Sequence, residues 1–180
     1  MFSSSASRPG RHTAPCRLAQ TLGITKSTEY LAARNAKTPA VIFTDMLAKQ
    51  QAIPLLLEAC PSFEAEYEAH CAECGNDLPY VAAGDFARHL LALHQSGQLE
   101  ALSNAARAIE RLHTEGDAWV REFATVGVLE AVQNAWSHST VDPEEFVCYL
   151  GPASKRWWQG LNNFWSGNAP LVKPPNASDA

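Results

Sequence analysis

The sequence predicts an all-α fold, a compact bundle of about six or seven helices with antiparallel helical hairpins, occupying residues 38–167. Three observations carry this. Apolar residues recur three and four apart in one segment after another, the period of a helix with one buried face. Gly, Pro and Asn-Asp clusters divide those segments at helix-length intervals. No stretch alternates apolar and polar residues long enough to form a strand.

Thr38-Pro39 opens the ordered region, with Thr as N-cap and Pro at the first helical position. Residues 41–51, with Ile42, Met46 and Lys49, read as a helix that Pro54 kinks or ends. A second helix starts at Cys60-Pro61-Ser62 and carries Phe63 and Tyr67 on one face. It stops at Gly75-Asn76-Asp77, residue types that tolerate positive φ. Tyr80-Val81 is the nearest approach to a β signal, but Pro79 and Ala82-Ala83-Gly84 leave it no room. Asp85 is expected to cap the next helix, whose stripe is Phe86, Leu90 and Leu93, extended by His94, and which Gly97 ends.

Residues 98–113 form another helix, with Leu99, Leu102, Ala106, Ile109 and Leu112 on one side and Gly116 closing it. Asp117 caps the longest helix, 118–136, striped by Trp119, Phe123, Val126, Leu129, Val132 and Trp136. The short link between these two implies an antiparallel hairpin. Asp142-Pro143-Glu144-Glu145 reads as a cap, a first-turn proline and a capping-box acid, ahead of Phe146 and Tyr149 or Leu150. Gly151-Pro152 begins the last helix, with Trp157, Trp158, Leu161, Phe164 and Trp165 on one broad face. Residues 1–37 are expected to be a disordered basic extension and 168–180 a disordered tail. No self-repeat at a period of about 33–47 residues is present.

The net charge of −5 is unevenly spread. Residues 1–38 hold six Lys/Arg and one acid, a balance of +5; the remainder holds eight basic and 18 acidic residues, a balance of −10. The acidic part would repel a phosphate backbone, which argues against nucleic acid and suits a basic protein partner. The first segment is Ser- and Arg-rich and acid-poor, the composition of a transit peptide. No run approaches the ~18 apolar residues of a membrane span. The five cysteines are odd in number, so reduced thiols in a cytoplasm are expected rather than a disulfide framework.

Cys60, His70, Cys71 and Cys74 are the candidate metal ligands, because thiolates in a C-x-x-C spacing beside an imidazole are what zinc prefers. Zinc motifs usually pair two such knuckles and here there is one, so incidental cysteines come first. A redox role is a further alternative, although the pair ends a helix instead of starting one. Glu110 and Glu130 could do acid–base work, yet ion pairs with Arg107, Arg111 or Arg121 explain them as well. Glu110 and His113 make one Glu-x-x-His pair of the kind di-metal bundles use, and no second pair faces it. His89 and His94 are five apart and fall on different faces, one expected at the surface and one at the core edge. Core packing is the first explanation of the aromatic face of Trp157, Trp158, Phe164 and Trp165, but Trp157 and Trp158 point about 100° apart on a helix, so both need not fit inside. A Trp left outside, beside Lys155 and Arg156, is a typical interaction anchor. There is no Gly-rich phosphate loop, no Gly-x-Ser-x-Gly and no His-Glu-x-x-His, and no cofactor is expected.

Phe63-Glu64-Ala65-Glu66-Tyr67, Gly84-Asp85-Phe86-Ala87, Ile109-Glu110-Arg111-Leu112, Glu115-Gly116-Asp117, Val126-Gly127-Val128-Leu129-Glu130 and Leu150-Gly151-Pro152 together resemble an uncharacterised bacterial family of small helical proteins, a domain of unknown function. The resemblance spans roughly residues 48–167. That family is similar to proteins proposed to be immunity factors that neutralise a cognate toxin. It supplies no catalytic residues, and neither the basic extension nor the Cys71/Cys74 pair belongs to its pattern. The sequence thus leads to a non-enzymatic protein-binding module, an immunity protein for a basic toxin being its concrete form, with Trp157, Trp158, Glu110 and Glu130 as partner-binding candidates. The alternatives are a zinc or redox protein using the cysteine cluster and a helical enzyme using Glu110 and Glu130.

Overall fold

The computed structural model describes residues 46–174. The 1–37 extension, the Thr38-Pro39 cap and residues 41–45 of the expected 41–51 helix lie outside them, and residues 46–48, expected to be helical, are extended because Leu47 bridges to the turn at Gly116. The described chain is all-helical, with seven α-helices and no strand among the described residues.

Leu47 makes an isolated bridge to the turn at Gly116: its N–H donates to the Glu115 carbonyl at 2.8 Å and its carbonyl accepts from Asp117 N–H at 2.9 Å. Helix α1 (Lys49–Ala59) follows. Of the two outcomes expected at Pro54, a kink or an end, the helix does not end there. One backbone bond is forgone there, but Ala52, Leu55 and Leu56 are buried on the face that packs against α4, and that burial holds the turn. A 3₁₀ turn (Pro61–Phe63) leads into α2 (Glu64–Cys74), which Gly75 stops at φ 78°.

Helix α3 (Pro79–Gln95) starts about two turns earlier than the sequence suggests. Pro79 takes the first helical position, so Tyr80 and Val81 are helical and Asp85 lies inside the helix instead of capping it. Phe86, Leu90 and Leu93 are buried as expected, and the chain reverses at Gly97 (φ 73°). In α4 (Leu99–Glu115), Leu102, Ala106, Ile109 and Leu112 form the inward stripe, whereas Leu99 is exposed at the helix start.

Asp117 caps α5 (Ala118–Glu122) by accepting Val120 N–H at 2.8 Å. The helix then widens to π geometry over Phe123–Leu129 before resuming as α6 (Glu130–Ser137). The wider turns shift the facing, so Val126 of the expected stripe is 40% exposed while Thr125, Gly127 and Val128 turn inward. A 3₁₀ helix (Pro143–Cys148) follows, capped by the Asp142 side chain on Glu144 N–H. Helix α7 (Pro152–Trp165) completes the set. The segment after it, expected to be a loose tail, folds back as far as it is described: Val172 packs on the core, and a Cβ on Gly160 would sit 2.2 Å from the Lys173 carbonyl oxygen.

The core is one cluster. Helix α3 packs on α6 and the π stretch, α1 on α4, and α7 on α4 and the π stretch. Trp136, Phe63, Phe86, Phe123 and Phe146 are its largest fully buried side chains, each worth about 1.5–3 kcal/mol of transfer free energy. Among the described residues no helix is long and apolar enough to cross a membrane.

Candidate functional site

The helices hold four histidine-centred networks, and most of the sequence candidates fall into or beside them. In the first, Glu110 reaches from α4 to the first turn of α7. Its carboxylate accepts Ala153 N–H and Ser154 N–H, both at 2.8 Å, and the Ser154 hydroxyl at 2.7 Å. It acts as an N-cap supplied from another helix. A Cβ on Gly151 would lie 2.4 Å from the Glu110 Cδ, so only glycine leaves room for it. Burial alone would raise this carboxyl; the hydrogen bonds from Ser154 and Ala153, with His113 nearby, outweigh it and hold the group below its usual range.

Beneath it, His113 is buried, with Nδ1 2.9 Å from Ser154 Oγ and Nε2 3.1 Å from Thr125 Oγ1. The Ser154 hydroxyl spends its proton on Glu110, so Nδ1–H donates to Ser154 and Nε2 is the acceptor nitrogen of the neutral ring; the single proton of the Thr125 hydroxyl is shared between that nitrogen and the Arg121 carbonyl at 2.9 Å. Burial pushes the imidazole down to about 4.

The second network joins Ser62 and Glu66 on the 3₁₀–α2 segment to His89 on α3. Ser62 Oγ is 2.8 Å from His89 Nε2, and Glu66 Oε1 is 2.8 Å from His89 Nδ1. Cys60 Sγ is 3.5 Å from Ser62 Oγ. Cys60 and Ser62 line a groove of about 530 Å³ that the α3–α4 turn closes on the other side. In the third, His70 Nδ1 is 2.8 Å from Asp85, which also pairs with Arg88. In the fourth, His94 Nε2 is 3.2 Å from Glu145, and its ring packs on Trp136. Glu145 is thus spent on His94, not on the expected capping box. Neither His89 nor His94 is a surface residue: the first is buried and the second half-buried.

The metal candidates are not gathered. Cys60 is buried and its thiol pushed up by burial, His70 is engaged by Asp85, Cys71 is half-buried and Cys74 exposed. Among the described residues no group of three or more His, Cys, Asp or Glu side chains is arranged to hold a metal ion.

Of the partner-binding candidates, Trp158 is buried, its Nε1–H donating to Glu144 at 2.9 Å. Trp157 is half-buried and stacks on His113 with ring centroids 6.2 Å apart. Glu110 is taken by α7. Glu130 is half-buried, its carboxyl raised by that burial. The arginines expected to pair with them go elsewhere, Arg111 to Glu115 and Arg107 to Asn104.

A surface feature the sequence reading missed lies where the start of α3 meets α5. Tyr80 packs edge-on against Trp119 and Phe123, at 6.2 and 5.6 Å, and its hydroxyl donates to Glu122 at 3.4 Å. Tyr80 and Val81 are 40% and 49% exposed, and Val126, on the π stretch that packs against α3, is 40% exposed. Lys49 Nζ sits 4.9 Å over the Trp119 ring. Only the unforeseen start of α3 and the π shift bring these residues to the surface, so periodicity alone could not have marked them.

Residues 53–166 match a protein family described as Domain of unknown function (DUF7674). The chain belongs to this family. The DUF7674 region takes in six of the seven helices and most of α1, with all four histidine networks and the exposed aromatic face. It leaves out the Leu47 bridge and the returning segment after α7. No curated protein and no solved structure matches the chain.

Proposed function

We propose that this chain is a protein-binding module whose partner is a basic protein, in its most concrete form a toxin that it neutralises in the cytoplasm. The observation that carries the reading is the set of exposed Tyr80, Val81 and Val126, with half-buried Trp119 packed against Tyr80, on an acidic domain. Residues 46–174 hold sixteen acidic and eight basic side chains, a balance of −8. Such a field speeds encounter with a cationic partner, and aromatic side chains then supply the contact area where binding energy concentrates. Glu122 stands beside Tyr80, so a lysine or arginine of the partner would meet a carboxylate at the rim of the apolar patch. Two of the four partner-binding candidates serve the fold instead, which moves the proposed contact from α7 to this face. The resemblance to immunity factors supports the choice of partner class.

Deleting the gene beside an intact neighbouring toxin gene is the direct test. Loss of viability, restored by the parent chain and not by Val81→Asp with Val126→Asp, is the expected result. Unchanged viability on deletion, or full rescue by the doubly substituted chain, would refute the reading.

A further inference from the structure

The Ser62–His89–Glu66 network has the connectivity of a nucleophile, a base and an orienting carboxylate. Ionised Glu66 only accepts hydrogen bonds, so His89 Nδ1 carries the proton and Nε2 turns its lone pair toward the Ser62 hydroxyl at 2.8 Å. That is the polarity a general base needs. Each position has a local cause. Ser62 and Glu66 stand one turn apart on the 3₁₀–α2 segment, so both face the same ring of α3. His89 is fixed from behind by Phe63, with ring centroids 5.5 Å apart. The imidazole is buried, while Ser62 is exposed and lines the groove of about 530 Å³.

We propose that Ser62 is an acyl-accepting nucleophile, with His89 as its general base and Glu66 as the positioning residue, and that the groove takes a small uncharged carboxylic ester. Ala59, Leu99 and Ala101 offer apolar surface for a short acyl chain, Gln98 and Asn104 offer amide groups, and Glu100 disfavours an anionic substrate. Ser62 Oγ adds to the ester carbonyl as its proton passes to His89 Nε2. The tetrahedral adduct collapses, the bond to the alcohol oxygen breaks, and His89 returns the proton to that oxygen. Water then adds to the acyl-Ser62 ester, giving its proton to His89. Ser62 takes the proton back as the carboxylic acid leaves. No oxidant, reductant or metal enters the balance. This activity goes beyond partner binding and does not depend on it.

The test uses the full chain with a fluorophosphonate probe and, in parallel, p-nitrophenyl acetate. One phosphonyl adduct mapped to Ser62 is expected, absent in Ser62→Ala. His89→Gln should slow both adduct formation and p-nitrophenolate release by at least about 100-fold. Glu66→Gln should slow them less, and Glu66→Asp should recover part of the rate, which a purely structural role would not produce. Thermal melts establish that each variant is folded; Ser62 is exposed, so its alanine variant tests the site without emptying the core. No adduct, an adduct on Cys60 or a tyrosine, or an unchanged rate in a folded His89→Gln would overturn the proposal.

Discussion

Replacing Glu110 with alanine tests whether this carboxylate serves the fold or a partner. The side chain accepts three hydrogen bonds of 2.7–2.8 Å from the first turn of α7. Charge-assisted bonds are worth about 1.5–3 kcal/mol each when shielded, but Glu110 is only half-buried and water would reach the freed N–H groups. The better measure is a lost N-cap, about 0.5–2 kcal/mol, together with a lost anion at a helix N-terminus, about 0.3–1 kcal/mol. The sum is about 2 kcal/mol, which for a domain of this size lowers the melting temperature by about 6–12 °C. A second readout follows from the hydrogen-bond chain. Without Glu110, the Ser154 hydroxyl can donate to His113 Nδ1, so the ring should move its proton to Nε2 and donate to Thr125, whose hydroxyl then gives its proton wholly to the Arg121 carbonyl at 2.9 Å. Circular dichroism melts and nitrogen NMR of His113 measure the two effects. A melting temperature within about 2 °C of the parent, with the Nδ1–H tautomer unchanged, would refute the capping argument and return Glu110 to the list of partner contacts.

The His113 imidazole is depressed to about 4 from 6.5, so between those values the unfolded chain binds a proton that the folded one does not. Stability should be complete above pH 6.5 and fall as pH drops toward 4, by at most about 3 kcal/mol; urea titrations across that window should show the slope, and His113→Gln should flatten it. The π stretch makes a different prediction. Val126→Asp should change stability by less than about 0.5 kcal/mol, while Leu129→Ala should cost about 2–5 kcal/mol. A regular α-helix striped as the sequence suggests would make both costly, and denaturant midpoints separate the two cases.

Local signals were legible in the sequence where local chemistry decided the outcome. Asp117 and Asp142 cap because a short side chain ahead of a helix reaches its own first turn, and Gly75 and Gly97 reverse the chain because their φ is positive. The failures arose where packing outvoted those signals. Pro54 reads as a helix end, yet Leu55 and Leu56 are buried beyond it. Asp85 looks like a cap, but Pro79 had already begun the helix and His70 claimed the carboxylate. The site was harder still. Ser62 and His89 are 27 positions apart and Glu110 and Ser154 are 44 apart, distances at which no spacing rule operates. The C-x-x-C pair had the opposite character, a conspicuous spacing with no set of ligands gathered around it among the described residues.

The bridge between Leu47 and the turn at Gly116 bears on the order in which the chain folds. Its two backbone bonds join residues separated by the whole of α1 to α4, so making them closes a long loop whose entropy nothing local repays. The α4–α5 turn, by contrast, needs only neighbouring residues. The turn therefore forms first and Leu47 docks onto it afterwards, making the bridge a contact absent from the transition state. Such contacts govern the rate of unfolding and leave the rate of folding almost untouched. Leu47 thus acts as a latch on a finished bundle, and a loosened latch would shorten the lifetime of the native state without delaying its birth.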